Sequence, residues 1–350
     1  MVGSPNWVAK LPGGLLQTNI AGCAVFASVS GSSIATAASI GGVALPQLIR
    51  RNYNRPLAAG SLAAGGTLGI LLPPSFGMIV YGTFHRDLGP EAVHGRGRPR
   101  PDHDRIVHEL YRRACQAVAA CGAPRAGLTL VPRALRALGD VLPFALLITG
   151  TLGGIYAGLV TTTEGATIGC ILAMILGALW GDLRLAGVIE AMHNTVKFSG
   201  NILFIIFVAY IFSYAISFAG IGEAVTQFIV SRQLSRLEFF LALFVLYTML
   251  GCLIESIGMI VITVPLIFPV LPSYGISPIM FGVILVLFVE LGQISPPIGI
   301  NLFVIQSIWD GKLSEVVTGT IPFHLIMFVV LALVILCPEL ALWLPGRVGH

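Results

Sequence analysis

An all-α, polytopic membrane protein built around an internal repeat is the fold this sequence predicts, on three observations. Of its 350 residues, 56% are hydrophobic and 10% charged, with a mean hydropathy of +0.90. Soluble domains carry about 25% charged residues, so the composition argues against a soluble chain. Two apolar runs are too long for one straight span, and each holds a polar break. The same Gly/Pro pattern then occurs twice at a constant offset.

The first long run, Leu11 to Ile49, contains no charge. As one helix it would extend roughly 58 Å at about 1.5 Å per residue, against a hydrocarbon core of about 30 Å. The polar SVSGSS (Ser28–Ser33) lies in its middle. The run is therefore expected to enter and leave as a re-entrant hairpin, with Ser30-Gly31-Ser32-Ser33 at the tip. From Phe239 to Val289 the only charge is Glu255, in GCLIESIGM, which reads as the tip of a second hairpin.

Each hairpin is followed by a proline break: TLGILLPPSFGM (Thr67–Met78) and ELGQISPPIGINLF (Glu290–Phe303). Proline removes a backbone donor and clashes with the preceding turn. In lipid such a break is tolerated only where protein or a water-filled cavity satisfies it. Leu68-Gly69 and Pro73-Pro74 recur as Leu291-Gly292 and Pro296-Pro297, an offset of 223 residues. The same offset pairs Ser32-Ser33 with Glu255-Ser256 and Pro46 with Pro269. Matching Gly/Pro interruptions in two halves point to a transporter binding site.

The remaining apolar runs are Val141–Val160, Ile168–Trp180, Asn201–Gly220, Phe239–Ile254, Ile257–Leu271, Ile279–Val289 and Ile321–Leu336. Several are short of the ~20 residues a full span needs. The net charge is +4, and its placement suggests inverted repeats. RRNYNR (Arg50–Arg55) carries three arginines, whereas its partner Ser273–Pro278 carries none. The positive-inside rule puts Arg50, Arg51 and Arg55 in the cytoplasm. Arg232 and Arg236 resist this scheme, so Gly220 to Arg236 is expected to be an amphipathic surface helix. The six cysteines (Cys23, Cys115, Cys121, Cys170, Cys252, Cys337) show neither disulfide nor zinc spacing and read as small apolar residues. MVGSPNWVAKLPGG lacks the basic and apolar regions of a signal peptide.

His85 to Arg136 breaks the pattern. It holds ten of the twenty basic residues and four of the seven histidines, and it has no long apolar run. The histidine spacings match no standard zinc site. No nucleic-acid-binding fold is recognisable, and no nucleic acid is expected as a partner. A basic insertion against anionic lipid is one reading. The preferred one is a frameshift, because the Arg-, Pro-, Ala- and Gly-rich run is what a GC-rich gene yields out of frame.

VSGSSIATAASIGGVALPQLIRRNYNRPLAAGSLAAGGTLGILLPPSFGMIVYG (Val29–Gly82), GGIYAGLVTTTEGATIG (Gly153–Gly169) and ELGQISPPIGINLFV together resemble the DctM-type large permease subunit of TRAP, tripartite ATP-independent periplasmic, transporters. Gly165 stands where that family usually has Ala. The resemblance implies an elevator-type secondary transporter with a scaffold and a moving domain, N-terminally truncated in this chain. It implies Na+ as coupling ion, no organic cofactor and no enzymatic activity. It implies organic-acid substrates such as C4-dicarboxylates or sialic acid. It also implies a small TRAP membrane subunit, a periplasmic substrate-binding protein and a multi-pass place in the bacterial inner membrane's lipid bilayer. A remnant without transport activity is the alternative.

Free N–H groups at a half-helix N-terminus suit a carboxylate, and unwound carbonyls suit sodium. One sodium site is expected from Ser30, Ser32 and Ser33 with backbone at Gly69. Its mate would use Glu255 and Ser256 with backbone at Gly292 and Ser295. Pro73, Pro74, Pro296 and Pro297 make the breaks, with Ser75 and Asn301 as further contacts. Thr161, Thr163 and Glu164 carry the family signature without a derivable role. Against these stands the ordinary membrane serine that only bonds a carbonyl one turn back. Glu255 is favoured because an intramembrane carboxylate is costly. Glu290 is ranked lower, as nearer solvent, and His193 and His324 are expected to be structural. The divisions expected are 1–84 and 237–310 (transport halves), 85–136, 137–236 (scaffold and linking helices) and 311–350 (C-terminal helix).

Overall fold

A computed structural model describes residues 15–72, 75, 77–82, 142, 143, 145–154, 159–181 and 183–342. The Arg-rich segment 85–136 and Pro73-Pro74 lie outside the described residues. Two compact units divide the chain: Met1–Trp7 with Gly127–Phe212, and Val8–Ala126 with Ser213–His350.

In the larger unit the uncharged N-terminal run forms two helices, α1 (Leu15–Ser30) and α2 (Ser33–Arg50), separated where the polar tip was expected. Asn54 then caps α3 (Arg55–Leu71): its Oδ1 accepts from Leu57 N at 3.0 Å, and Pro56 sits at the first turn where its missing N–H costs nothing. Leu45, Leu48 and Leu62 pack with Leu302, Ile305 and Val316.

The second half begins at a reciprocal cap. Ser235 Oγ accepts from Glu238 N, and Glu238 Oε2 accepts from Ser235 N at 2.7 Å. This box starts helix Arg236–Gly251. Arg236 therefore belongs to that helix and not to the expected surface helix, which is confined to Ile221–Ser231. After a break at Cys252–Glu255 come helix Ser256–Ile267, a 3-10 stretch Phe268–Tyr274, and helix Pro278–Ile294. Ile300–Ile308, Leu313–Leu336 and Glu339–Leu342 complete this unit.

The offset of 223 appears in the elements themselves. Arg55–Leu71 and Pro278–Ile294 are both 17 residues long and differ by 223 at each end. Ser33 and Ser256, the first residues after the two breaks, are likewise equivalent. The halves diverge where proline density differs. Pro46 is tolerated inside an 18-residue helix, but Pro265, Pro269 and Pro272 follow one another so closely that the second copy tightens into 3-10 geometry.

In the smaller unit, π-helical turns at Thr149–Gly153 precede helix Thr162–Trp180, and helix Leu185–Phe218 starts there. The latter has 34 residues, begins well before the expected Asn201, and carries Glu190, His193 and Lys197 in its first half. At about 1.5 Å per residue it is roughly 51 Å long, beyond a hydrocarbon core. Taken in chain order, the helices are α1–α3 as given, α4 (Thr162–Trp180), α5 (Leu185–Phe218), α6 (Ile221–Ser231), α7 (Arg236–Gly251), α8 (Ser256–Ile267), α9 (Pro278–Ile294), α10 (Ile300–Ile308), α11 (Leu313–Leu336) and α12 (Glu339–Leu342).

Four described helical stretches are long and apolar enough to span: Thr163–Trp180, Leu185–Ile216, Ser256–Tyr274 and Leu313–Leu336. No strand occurs among the described residues. Small residues bring α3 and α11 into backbone contact. A Cβ on Gly60 would lie 2.0 Å from Gly319 C, and one on Gly319 would lie 1.7 Å from Pro56 O. Close approach through small residues replaces the missing hydrophobic drive between helices in lipid.

Candidate functional site

The first break turns on Gly31 and Ser32. Gly31 has φ +61, a left-handed conformation that glycine adopts without steric cost. Ser32 is extended (φ −130, ψ 127), and its Oγ accepts from Ala35 N at 3.4 Å to start α2. Ser30 Oγ pairs with Thr36 Oγ1 at 2.9 Å, and Thr36 Oγ1 also bonds Ser32 O at 2.8 Å. Gly69 of α3 lies flat on this peptide: an added Cβ would sit 2.5 Å from Ser32 C and O. The expected grouping of Ser30, Ser32, Ser33 and Gly69 is thus a set of neighbours in space.

Ser33 reaches further. Its hydroxyl donates to Glu290 Oε1 at 2.6 Å, across the two halves. Both groups are buried, Glu290 completely. The expectation that Glu290 lies nearer solvent is overturned. Helix α9 is apolar almost all round, and the chain encases it from Met280 to Ile294 with little exception.

One turn along α9, Gln293 Nε2 donates to Ser256 Oγ at 2.9 Å. Gln293 is also fully buried. Residues three apart on a helix share a face. A single turn of α9 therefore holds the first residue after the break in each half. The remaining oxygens, Glu290 Oε2 and Gln293 Oε1, have no hydrogen-bond partner among the described residues, nor do the amide atoms of the buried Asn301. Unpartnered polar atoms at full burial are costly and mark a site of chemical interest.

The second break differs from the first. Glu255, its expected acid, is exposed at the N-cap of α8 and makes no capping hydrogen bond. Gly292 packs against α7: its Cβ would lie 2.5 Å from Tyr247 O, and one on Gly251 would lie 2.5 Å from Gly292 C. Ser256 and Ser295 are buried. Ser295 Oγ donates to Leu291 O at 2.6 Å and lies 3.2 Å from His324 Nε2. His324 Nδ1 lies 3.3 Å from Thr320 O, which ties the ring into the packing. Pro296 and Pro297 are exposed and joined by a cis bond, after which Gly299 starts α10. Ser75 is buried, and its Oγ accepts from Met78 N at 3.3 Å, starting the helical stretch 77–82. Gln293 is absent from the residues that the sequence pattern singles out. Its signal was the ELGQ spacing, two polar residues one turn apart in a hydrocarbon run.

The signature residues have a local role, within the smaller unit. Thr161 Oγ1 accepts from Glu164 N at 3.3 Å, while Glu164 Oε2 accepts from Thr161 N at 2.8 Å and Thr161 Oγ1 at 2.9 Å. This capping box opens α4. Thr163 O accepts from Thr167 Oγ1 one turn on.

The family described as tripartite ATP-independent periplasmic transporter, DctM component, matches residues 5–89 and 110–340. Within those limits only residues 90–109, inside the Arg-rich segment, are unmatched. The chain is 30% identical over 356 residues to the C4-dicarboxylate TRAP transporter large permease protein DctM of Rhodobacter capsulatus, covering 96% of this chain and 79% of that one. It is 27% identical over 345 residues to the sialic acid TRAP transporter large permease protein SiaM of Vibrio cholerae, covering 97% and 79%. It is also 27% identical to the ectoine/5-hydroxyectoine TRAP transporter large permease protein UehC of Ruegeria pomeroyi, covering 97% and 78%. With this breadth of match, and with several helices long and apolar enough to span a bilayer, the chain belongs to the DctM component of the tripartite ATP-independent periplasmic transporters.

Proposed function

We propose that this chain is the large membrane subunit of a sodium-driven importer of organic acids in the bacterial inner membrane. A periplasmic binding protein delivers the acid, and a small membrane subunit completes the scaffold. The observation that carries this reading is the meeting of both breaks on one turn of α9, through Ser33–Glu290 and Gln293–Ser256. Two helix N-termini then start from one buried locus, and such N-termini favour a carboxylate. Sodium is held by the hydroxyls and unwound carbonyls at each break, one ion per half: Ser30, Ser32 and Ser33 with Gly69, and Ser256 with Ser295 and Gly292. Glu255, exposed at the start of α8, directly precedes Ser256 of the second site.

The hairpins are re-entrant, the halves are inverted, and the broken elements move as one body past a scaffold. The family match across residues 5–89 and 110–340 favours a permease over an inactive remnant. Relatives named for C4-dicarboxylate and sialic acid support an organic acid as cargo. Uptake by proteoliposomes holding this chain, the small subunit and the binding protein tests the reading. Labelled C4-dicarboxylate or sialic acid should accumulate under an inward sodium gradient and not when potassium replaces sodium. Equal uptake in potassium rejects sodium coupling, and no uptake of either acid rejects the substrate class.

A further inference from the structure

We propose that the Glu290–Gln293 turn couples the two halves, so that an ion ordering one break raises the affinity at the other. The inference rests on the sodium-driven reading above. It makes Glu290 and Gln293 positioning residues, acting through the serines that they hold.

Two hydrogen bonds supply the geometry. Ser33 and Ser256 occupy equivalent places, each the first residue of the helix that follows a break. Ser33 Oγ donates to Glu290 Oε1 at 2.6 Å, and Gln293 Nε2 donates to Ser256 Oγ at 2.9 Å. Three residues of helix rise about 4.5 Å, so both clamps sit within one turn of a rigid element. The first break cannot adjust in isolation. Gly69 lies against the Ser32–Ser33 peptide so closely that an added Cβ would meet Ser32 C at 2.5 Å. A shift of that break is thus passed to Glu290, and through α9 to Gln293 and Ser256.

Each clamp is also incomplete. Glu290 Oε2 and Gln293 Oε1 are buried without partners among the described residues. In so dry a place a hydrogen bond is strong and its loss is expensive, so the clamps favour two discrete arrangements over a continuum. An ion that fixes Ser33 biases the shared turn toward the arrangement that also holds Ser256. Linkage makes the effect reciprocal, and site–site couplings are typically about 5- to 150-fold in affinity. The two clamps differ in kind: an acid holds the first serine and an amide the second. Glu290→Gln therefore preserves an acceptor for Ser33 in a side chain of the same size, which separates the hydrogen bond from the acid group.

Sodium titration of the purified full chain in detergent, at constant ionic strength with choline chloride, tests the coupling. The readout is the sodium-dependent rise of the unfolding temperature, fitted for Hill coefficient and half-saturation. The native chain should give a Hill coefficient above one. Glu290→Leu and Gln293→Leu should each bring it to one and raise the half-saturating sodium by at least fivefold. Their combination should be no worse than either alone, because one broken clamp already uncouples the halves. Glu290→Gln should restore most of the steepness. Should Glu290→Leu fail to fold, Gln293→Leu tests the same coupling from the other clamp. Unchanged Hill coefficients in the leucine variants, with only a uniform drop in stability, overturn the coupling and leave the sodium reading standing. So does a Hill coefficient of one in the native chain. A native chain indifferent to sodium overturns both.

Discussion

At the scale of single residues, the site depends on which carboxylate the fold encloses. Glu255 and Glu290 both interrupt apolar runs, and nothing in their immediate neighbours ranks Glu290 first. What decides is the tertiary partner: Ser33, 257 residues away, bonds Glu290 in the interior, whereas Glu255 faces outward. Sequence pattern located both breaks and their serines, but it could not assign a partner across the halves. Ser33→Ala removes the donor and leaves Glu290 with neither oxygen bonded. A buried group orphaned in this way costs about 1–3 kcal/mol, visible as a lowered unfolding temperature in detergent. Gly69 gives a sharper contrast. Gly69→Ala places a Cβ 2.5 Å from Ser32 carbonyl atoms, which are backbone and cannot swing aside. It should abolish uptake even where the protein is still inserted. Gly42→Ala, in the α2 helix that Ser32 caps, meets nothing within 4 Å. It should leave uptake intact and stabilise by about 0.5–1 kcal/mol, because alanine loses less backbone entropy in a helix. Equal loss of uptake in both would remove the close contact as the cause.

At the scale of elements, the offset of the repeat was legible in the sequence, but the bounds of its helices were not legible from it. The Leu-Gly-xxx-Pro-Pro offset is also the offset between the ends of helices Arg55–Leu71 and Pro278–Ile294, although the apolar run Ile279–Val289 is shorter than the second and no run marked the first. Their helix starts are also written locally, as Asn54 before Arg-Pro and Ser277 before Pro278. The boundary of the surface helix was not legible from charge alone, because the Ser235–Glu238 capping box, three residues apart, outweighs the placement of Arg236. The family-signature threonine is explained at this scale too. Thr161→Ala should cost α4 about 1 kcal/mol and speed hydrogen exchange over its first turn, while uptake persists. Loss of uptake with the cap's exchange rates unchanged would give Thr161 a role in transport beyond the cap. The α3–α11 crossing makes the complementary case. Gly319→Ala forces a Cβ to within 1.7 Å of Pro56 O. Overpacking typically costs about 1–3 kcal/mol, and backbone-to-backbone conflict lies at the upper end, so the variant should elute as aggregate on size exclusion.

For the whole molecule, composition alone established the bilayer as solvent, since 56% hydrophobic and 10% charged residues leave no other home. Orientation needs more, and the placement of the arginines is its sequence signal. Arg50, Arg51 and Arg55 lie at and around the connection between α2 and α3, while the equivalent stretch Ser273–Pro278 is uncharged. An inverted pair of halves puts these turns on opposite faces, with the arginines in the cytoplasm, where short basic loops are retained. Parallel halves would put both on one face and leave the charge difference without a cause. The two arrangements separate by labelling. With the six native cysteines replaced by serine or alanine, Arg51→Cys and Ser273→Cys each present a thiol at an exposed position. In intact spheroplasts a membrane-impermeant maleimide should label the Ser273→Cys protein within minutes and spare Arg51→Cys until the cells are lysed. Labelling of both from outside would make the halves parallel, and the two broken hairpins would then enter the membrane from the same side.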